Sequence, residues 1–277
     1  MKKACVIGWP IEHSRSPLIH GHWLKKYGIA GGYTKQAVKP ENLEAFLTNL
    51  AAEGYAGCNV TVPHKEAAFA IADVKDPSAV AVGAANTLWV ESGKLHAANT
   101  DTYGFMSHLA QQAPQWFKAG RPVAVLGAGG AARAIVYGFL DAGVTDVRVF
   151  NRSIARAEEL ARHFGARVTA FALDDFDAQS SDASVVVNTT TLGMKGQDDV
   201  EIGMVQLPND CVVADIVYVP LETGFLRRAR AHGLHGVDGL GMLLHQAVPG
   251  FEKWFGKKPE VTAELRALIE ADIKGHS

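Results

Sequence analysis

Nothing in the 277 residues is shaped for a membrane, for secretion or for a polyanion. No stretch approaches the roughly 20 apolar residues of a membrane span. The two N-terminal lysines lead into an apolar run that Gly8-Trp9-Pro10 and Glu12-His13 cut short, which is unlike a signal peptide. Cysteine is scarce. Cys5, Cys58 and Cys211 lie in apolar, strand-like runs with no CxxC spacing, which excludes a disulfide framework and predicts a reducing, cytoplasmic setting. Without secretion the sequons at Asn59, Asn151 and Asn188 stay unmodified. The net charge of −2 offers no global attraction to nucleic acid or anionic lipid, so any anion must be bound locally. His13, His20, His22 and His64 lack the spacing of a metal site, and no metal is expected. The five tryptophans are scattered and read as packing.

What the chain does have is a large apolar share and a regular alternation. Hydrophobic residues make up 48% and charged residues 20%, enough to bury the cores of two ordinary domains. Strand signals at Ala4–Gly8, Gly32–Val38 and Asn59–Pro63 alternate with helix signals at Pro17–Tyr27, Glu41–Glu53 and His64–Ala72. Asn86–Val90 and Leu95–Asn99 read as a hairpin around Ser92-Gly93. After a linking helix at Tyr103–Gln112 the alternation restarts. Strands are expected at Val123–Leu126, Val147–Phe150, Val185–Asn188 and Val212–Asp215, with helices near Ala131–Ala142, Ile154–Phe164 and Thr223–His232. From Leu240 onward the pattern is helical only. The expected fold class is α/β with two domains: residues 1–101 with 241–277, mostly parallel, and residues 102–240.

The second domain contains a nucleotide signature. Val123–Leu126 runs into Gly127-Ala128-Gly129-Gly130-Ala131-Ala132 and then a helix, a G-x-G-x-x-A pattern in strand–turn–helix context. Gly127 would permit the tight turn, Gly129 the approach of a pyrophosphate, and Ala132 close helix–strand packing. An NAD site usually ends its second strand in an acidic residue that holds the ribose hydroxyls. Here that strand runs into Asn151-Arg152-Ser153, with Arg156 a turn later. Guanidinium groups suit a 2′-phosphate, so the expected cofactor is NADP.

The first domain contributes the chemistry. Lys65 stands where the Asn59 strand gives way to a helix, and Asp101 closes a second strand-like stretch. Such a pair on two strand ends can handle the proton of an alcohol or ketone. Taken alone, Lys65 reads equally as a solvated lysine beside a helix start. Ser14, Ser16, Thr61 and Asn86 add small hydroxyls and an amide suited to a polyhydroxylated ligand. Ser14-Arg15-Ser16-Pro17 opens a helix where a carboxylate could dock. Singly, either serine also fits a helix cap.

The joint order of these segments closely resembles the shikimate dehydrogenase family. The matching stretches include Ser14–Pro17, Asn59–Lys65, Gly83–Thr87, Asn99–Asp101, Gly127–Ala131, Asn151–Ser153, Asn188–Thr190, and Asp238–Leu243 with Gln246. The resemblance implies reversible, NADPH-dependent reduction of 3-dehydroshikimate to shikimate in aromatic amino-acid biosynthesis. It implies a substrate domain and a Rossmann-like NADP domain with an open cleft between them, acting on small molecules as a monomer or homodimer. It implies Lys65 and Asp101 as the catalytic pair. Ser14, Ser16 and Tyr218 would meet the substrate carboxylate, and Thr61, Lys65, Asn86, Asp101 and Gln246 its ring hydroxyls. Gly127, Ala128, Gly129, Gly130 and Ala131 would hold the diphosphate, and Asn151, Arg152, Ser153 and Arg156 the adenine ribose phosphate. Thr189, Ile216 and Gly239 would line the nicotinamide, Ile216 standing where relatives often have methionine. The alternatives are a quinate/shikimate dehydrogenase with relaxed cofactor use and a non-catalytic shikimate or NADP sensor.

Overall fold

The computed structural model describes residues 1–276. The chain forms two compact units, Met1–Asp101 with Leu244–Lys274, and Thr102–Leu243. The first begins with β1 (Lys2–Gly8), α1 (Ser16–Lys26), β2 (Gly31–Ala37), a 3₁₀ turn at Pro40–Asn42, α2 (Leu43–Thr48), β3 (Tyr55–Val60) and α3 (Lys65–Ile71). Next come β4 (Val74–Lys75), α4 (Pro77–Val82), β5 (Thr87–Glu91) and β6 (Lys94–Ala98), and the sheet order is β2-β1-β3-β5-β6-β4. β1 pairs in parallel with β2 and β3, because helices return the chain between them. β5 and β6 are antiparallel across Ser92-Gly93, whose φ values of 54° and 74° are those a two-residue hairpin needs.

Two expected elements moved by more than two residues at a boundary. The Glu41–Glu53 helix is only the 3₁₀ turn and α2, because the Asn49 amide donates to the Ala45 carbonyl at 2.9 Å and closes the helix early. The Asn59 strand begins upstream, at Tyr55, and stops at Val60. Beyond it the His64 amide bonds the Thr61 carbonyl at 3.0 Å and forms a turn that delivers Lys65 to the first position of α3.

The second unit is a parallel α/β sheet. It holds α5 (Asp101–Gln112, whose first residue is counted with the first unit), β7 (Val123–Leu126), α6 (Gly130–Asp141), β8 (Val147–Asn151) and α7 (Ile154–Phe164). Then follow β9 (Val168–Ala172), a 3₁₀ turn at Leu173–Asp175, α8 (Phe176–Gln179), β10 (Val185–Asn188), β11 (Val212–Asp215), α9 (Gly224–Ala231) and β12 (His235–Val237). The order β12-β11-β10-β7-β8-β9 reverses direction at β7, which opens a switch point beyond the strand ends of β7 and β10. Val123, Val125, Val185 and Val187 join Ile135, Phe139 and Leu160 in the core on one face. β4, β9 and β12 went unseen in the sequence. All three are half-solvated edge strands, and their apolar pattern is correspondingly weak.

The chain returns to the first unit at Leu244, within α10 (Leu240–His245), and ends in α11 (Ala247–Phe255) and α12 (Ala263–Gly275). α11 lies on the sheet through Phe251 and Trp254, and the Trp254 indole donates to the Leu88 carbonyl at 2.9 Å. Gly57 makes this possible, since a Cβ there would stand 2.1 Å from the Leu88 carbonyl oxygen and 2.2 Å from Trp254 Nε1. Among the described residues no helix is long and apolar enough to cross a membrane. Gly57→Ala is expected to destabilise the protein by about 1–3 kcal/mol, the scale of an overpacked core, as measured by urea unfolding.

Candidate active site and cofactor site

In the first unit, Lys65 Nζ donates to Asp101 Oδ2 at 2.8 Å, with the two side chains 32% and 18% exposed. The pair is thus half-sheltered yet reachable by a ligand. Asp101 opens α5, where the helix dipole favours its charge. Its other oxygen accepts from Asn86 Nδ2 at 2.8 Å. That amide is orientated from behind. Asn86 Oδ1 accepts from the Thr100 amide at 2.8 Å and from the Thr100 and Thr87 hydroxyls at 3.0 Å each. A carbonyl oxygen surrounded by donors leaves the NH₂ group facing the carboxylate.

The network continues inward. Asn59 donates to the Asn86 carbonyl and to Thr87 Oγ1, each at 3.2 Å, and accepts from the Tyr33 hydroxyl at 2.6 Å. His20 stacks on Tyr33 with ring centroids 4.0 Å apart. Ser16 is the first residue of α1, on the same helix as His20, and Ser14 Oγ accepts from the Ser16 amide at 3.4 Å. Neither serine caps the helix: Arg15 holds the cap position without a side-chain bond and pairs instead with Asp272 of α12 at 2.9 Å. Thr61 lies in the turn between β3 and α3, and Gln246 between α10 and α11. Six of the expected substrate residues therefore stand in the leading segment of the first unit and Gln246 in its C-terminal return, whereas Tyr218 belongs to the second.

In the second unit Gly127 takes a φ of +106°, and a Cβ there would meet Thr189 Oγ1 at 2.7 Å, so only glycine turns the chain at this strand end. Cβ atoms at Gly129 and Gly130 would meet nothing within 4 Å. α6 starts at Gly130 with no side-chain cap, so its first amides are available to a diphosphate. Ala128 and Ala131 complete this turn, and buried Ala132 packs α6 down. Asn151 donates to the Ser153 carbonyl at 2.8 Å, and Arg152, Ser153 and Arg156 are exposed at the end of β8. Neither arginine makes an ion pair among the described residues, which leaves both guanidinium groups for an anion. Thr189 Oγ1 donates to the Leu126 carbonyl at 2.6 Å. Gly239 packs its backbone on the next loop, where a Cβ would stand 2.3 Å from the Ile216 carbonyl oxygen. An open glycine turn, an uncapped helix and two unpaired arginines fit NADP.

Models of known families divide the chain in three. The shikimate dehydrogenase substrate binding domain matches residues 6–88, shikimate / quinate 5-dehydrogenase 108–217, and the shikimate 5′-dehydrogenase C-terminal domain 239–269. A shikimate dehydrogenase (NADP(+)) of Azorhizobium caulinodans is 55% identical over 273 residues, covering 99% of this chain and 97% of its own. The chain belongs to the shikimate dehydrogenase family. A Brucella canis protein of the same name is 56% identical over 98% of this chain and 95% of its own. A Thermus thermophilus shikimate 5-dehydrogenase solved with NADP(H) and shikimate aligns with a TM-score of 0.84 at 33% identity, covering 99% of each chain. A Corynebacterium glutamicum quinate dehydrogenase solved with NAD aligns at 0.88 and 28% identity, covering 98% of this chain and 100% of its own.

For this shikimate dehydrogenase family member, motif reading missed the groups behind the site: Tyr33, Asn59, Thr87, Thr100 and, in the second unit, Asp215. The available signal was a polar residue inside an apolar strand, as in Cys58-Asn59-Val60. A buried polar group there must be hydrogen-bonded. His20 has the opposite character. Burial pushes its pKa from 6.5 down to about 3, against a small opposing effect of Asn59, and neither ring nitrogen has a hydrogen-bond partner. The depressed value means the folded protein holds His20 neutral while the unfolded chain protonates near pH 6.5. Its stabilisation is therefore complete above pH 6.5 and lost as pH falls towards 3. At pH 5 this linkage amounts to about 2 kcal/mol. His20→Phe is expected to flatten the loss of stability between pH 7 and 5 by that amount, as read from urea unfolding at the two pH values.

Proposed function

We propose that the chain catalyses the reversible, NADP-dependent interconversion of 3-dehydroshikimate and shikimate, with Lys65 and Asp101 as its catalytic pair. The observation behind this reading is the 2.8 Å Lys65–Asp101 contact, with Asn86 holding the second carboxylate oxygen, in a member of this family. When bound, NADPH supplies the hydride that adds to the substrate's C3 carbonyl carbon. The Lys65 ammonium donates a proton to the oxygen as its negative charge develops, giving the hydroxyl. Asp101 keeps the ammonium aimed and offsets its charge, and Asn86 prevents the carboxylate from rotating away. In the oxidative direction the same atoms return the proton. Ser14, Ser16 and Tyr218 would take the substrate carboxylate, and Thr61, Asn86 and Gln246 the ring hydroxyls. On the cofactor side, Gly127 to Ala131 would take the diphosphate, Asn151, Arg152, Ser153 and Arg156 the 2′-phosphate, and Thr189, Ile216 and Gly239 the nicotinamide. By this reading the enzyme is cytoplasmic, a monomer or homodimer, and takes part in aromatic amino-acid biosynthesis.

The deciding experiment is steady-state turnover of shikimate and of quinate with NADP and with NAD, followed at 340 nm. The highest kcat/KM is expected for shikimate with NADP, and a preference for quinate or NAD would overturn the assignment. Lys65→Ala is expected to lower kcat by roughly 10²–10⁴-fold with a smaller change in KM. Activity within about threefold of wild type would remove Lys65 from the mechanism. Arg152→Ala is expected to raise KM for NADPH by about 10-fold or more while barely changing KM for NADH, since a charge-assisted bond to phosphate is lost in one case only. An equal loss with both cofactors would falsify the 2′-phosphate role.

A further inference from the structure

Asp215 ends β11, only 2% exposed, in register with Asn188 at the end of β10. Its Oδ1 accepts from Asn188 Nδ2 at 2.9 Å and from the Val217 amide at 3.0 Å, and its Oδ2 accepts from the Thr223 hydroxyl at 2.7 Å. None of these donors is a cation. Burial accordingly pushes its pKa up to about 6, with the Thr223, Val217 and Asn188 bonds pulling the other way. A charge held this way, with no ion pair, is costly unless every bond is in place.

Each donor governs a different segment. Asn188 sets the turn after β10. Its Oδ1 accepts from the Thr190 amide at 3.0 Å and hydroxyl at 2.7 Å, and its Nδ2 donates to the Leu192 carbonyl at 3.1 Å. Thr189 lies in this turn. Val217 sits between Ile216 and Tyr218, and Gly239 is packed on the Ile216 carbonyl. Thr223 opens α9, accepting from the Leu226 amide at 3.3 Å, and so closes the loop that began at Asp215. The three residues assigned to the nicotinamide side, Thr189, Ile216 and Gly239, and with them Tyr218, assigned to the substrate carboxylate, are thereby tied to one carboxylate. The Asn151–Arg156 stretch, assigned to the adenine ribose phosphate, is not.

We propose that Asp215 is a positioning residue: its carboxylate fixes the loops around the nicotinamide ring, and hence the geometry of hydride transfer, without contributing to the affinity set at the phosphate end of the cofactor. The inference rests on the assignment of the cofactor site made above. Asp215→Asn keeps the shape but turns an N–H towards groups that are themselves donors. Thr223→Val removes one donor, and Thr223→Ser retains it. Shikimate oxidation and NADPH binding by fluorescence titration are measured on all three. For Asp215→Asn and Thr223→Val, kcat is expected to fall about 10- to 100-fold, the scale of a small misplacement of reacting groups. The Kd for NADPH should stay within about threefold, and Thr223→Ser should keep the wild-type kcat. A purely structural role would lower the melting temperature and leave kcat per folded molecule unchanged, which overturns the proposal. So does a loss of NADPH affinity in step with kcat, or a Thr223→Ser variant as slow as Thr223→Val. Should Asp215→Asn not fold, the Thr223 pair decides. Wild-type protein that does not oxidise shikimate with NADP overturns the site assignment and this inference together, whereas active wild type with unimpaired variants overturns the role of Asp215 alone.

Discussion

A carboxylate can only accept hydrogen bonds, and the first unit is organised around the two that Asp101 receives. One comes from Lys65, and to this pair the proposed chemistry is assigned. The other comes from Asn86 and exists because three donors from Thr87 and Thr100 occupy the far side of the same amide. The chain of constraint therefore runs from buried threonines at the ends of β5 and β6, through an amide that has one orientation, to an ion pair at the surface. Asn59 and Tyr33 extend it to β3 and, across β1, to β2. Mobile side chains at any of these points would leave Lys65 free to swing, as an exposed lysine ordinarily does.

The second unit solves a related problem with a different carboxylate. Three parallel strands end together at the switch point, and each must hand over to a loop without leaving buried polar groups unpaired. Gly127 does so by a positive φ against Thr189, Asn188 by capping the turn that follows it, and Asp215 by collecting donors from three segments. Both units thus orientate an acceptor-only carboxylate with neutral donors, Asp215 with these alone and Asp101 with the Asn86 amide beside the Lys65 ammonium. The difference is access. Asp101 is exposed enough to meet a ligand, while Asp215 is sealed and can act only through its neighbours.

Much of this was legible in the sequence, for reasons that are local. Short valine-rich runs can only be buried strands, so β7, β10 and β11 were read to the residue. The glycine turn after β7 announces itself because its φ is forbidden to other residues. α4 was missed although Asp76 caps it, Pro77 opens it and Gly83 closes it, because six residues are too few to show a helical period. The edge strands β4, β9 and β12 were missed because half-solvated strands lack an apolar pattern.

Residue types and their order thus determined on their own that the chain is a two-part α/β protein, that it has a dinucleotide turn with arginines in place of an acidic residue, and that its motifs resemble those of the shikimate dehydrogenase family. Only the tertiary structure decided which groups those two side chains lean on. Lys65 and Asp101 are 36 residues apart, Tyr33 and Asn59 26, and Asn188 and Asp215 27. Hydrogen bonds between such positions follow from strand register and helix placement, which depend on packing of the whole unit and leave no mark in the spacing of any one motif.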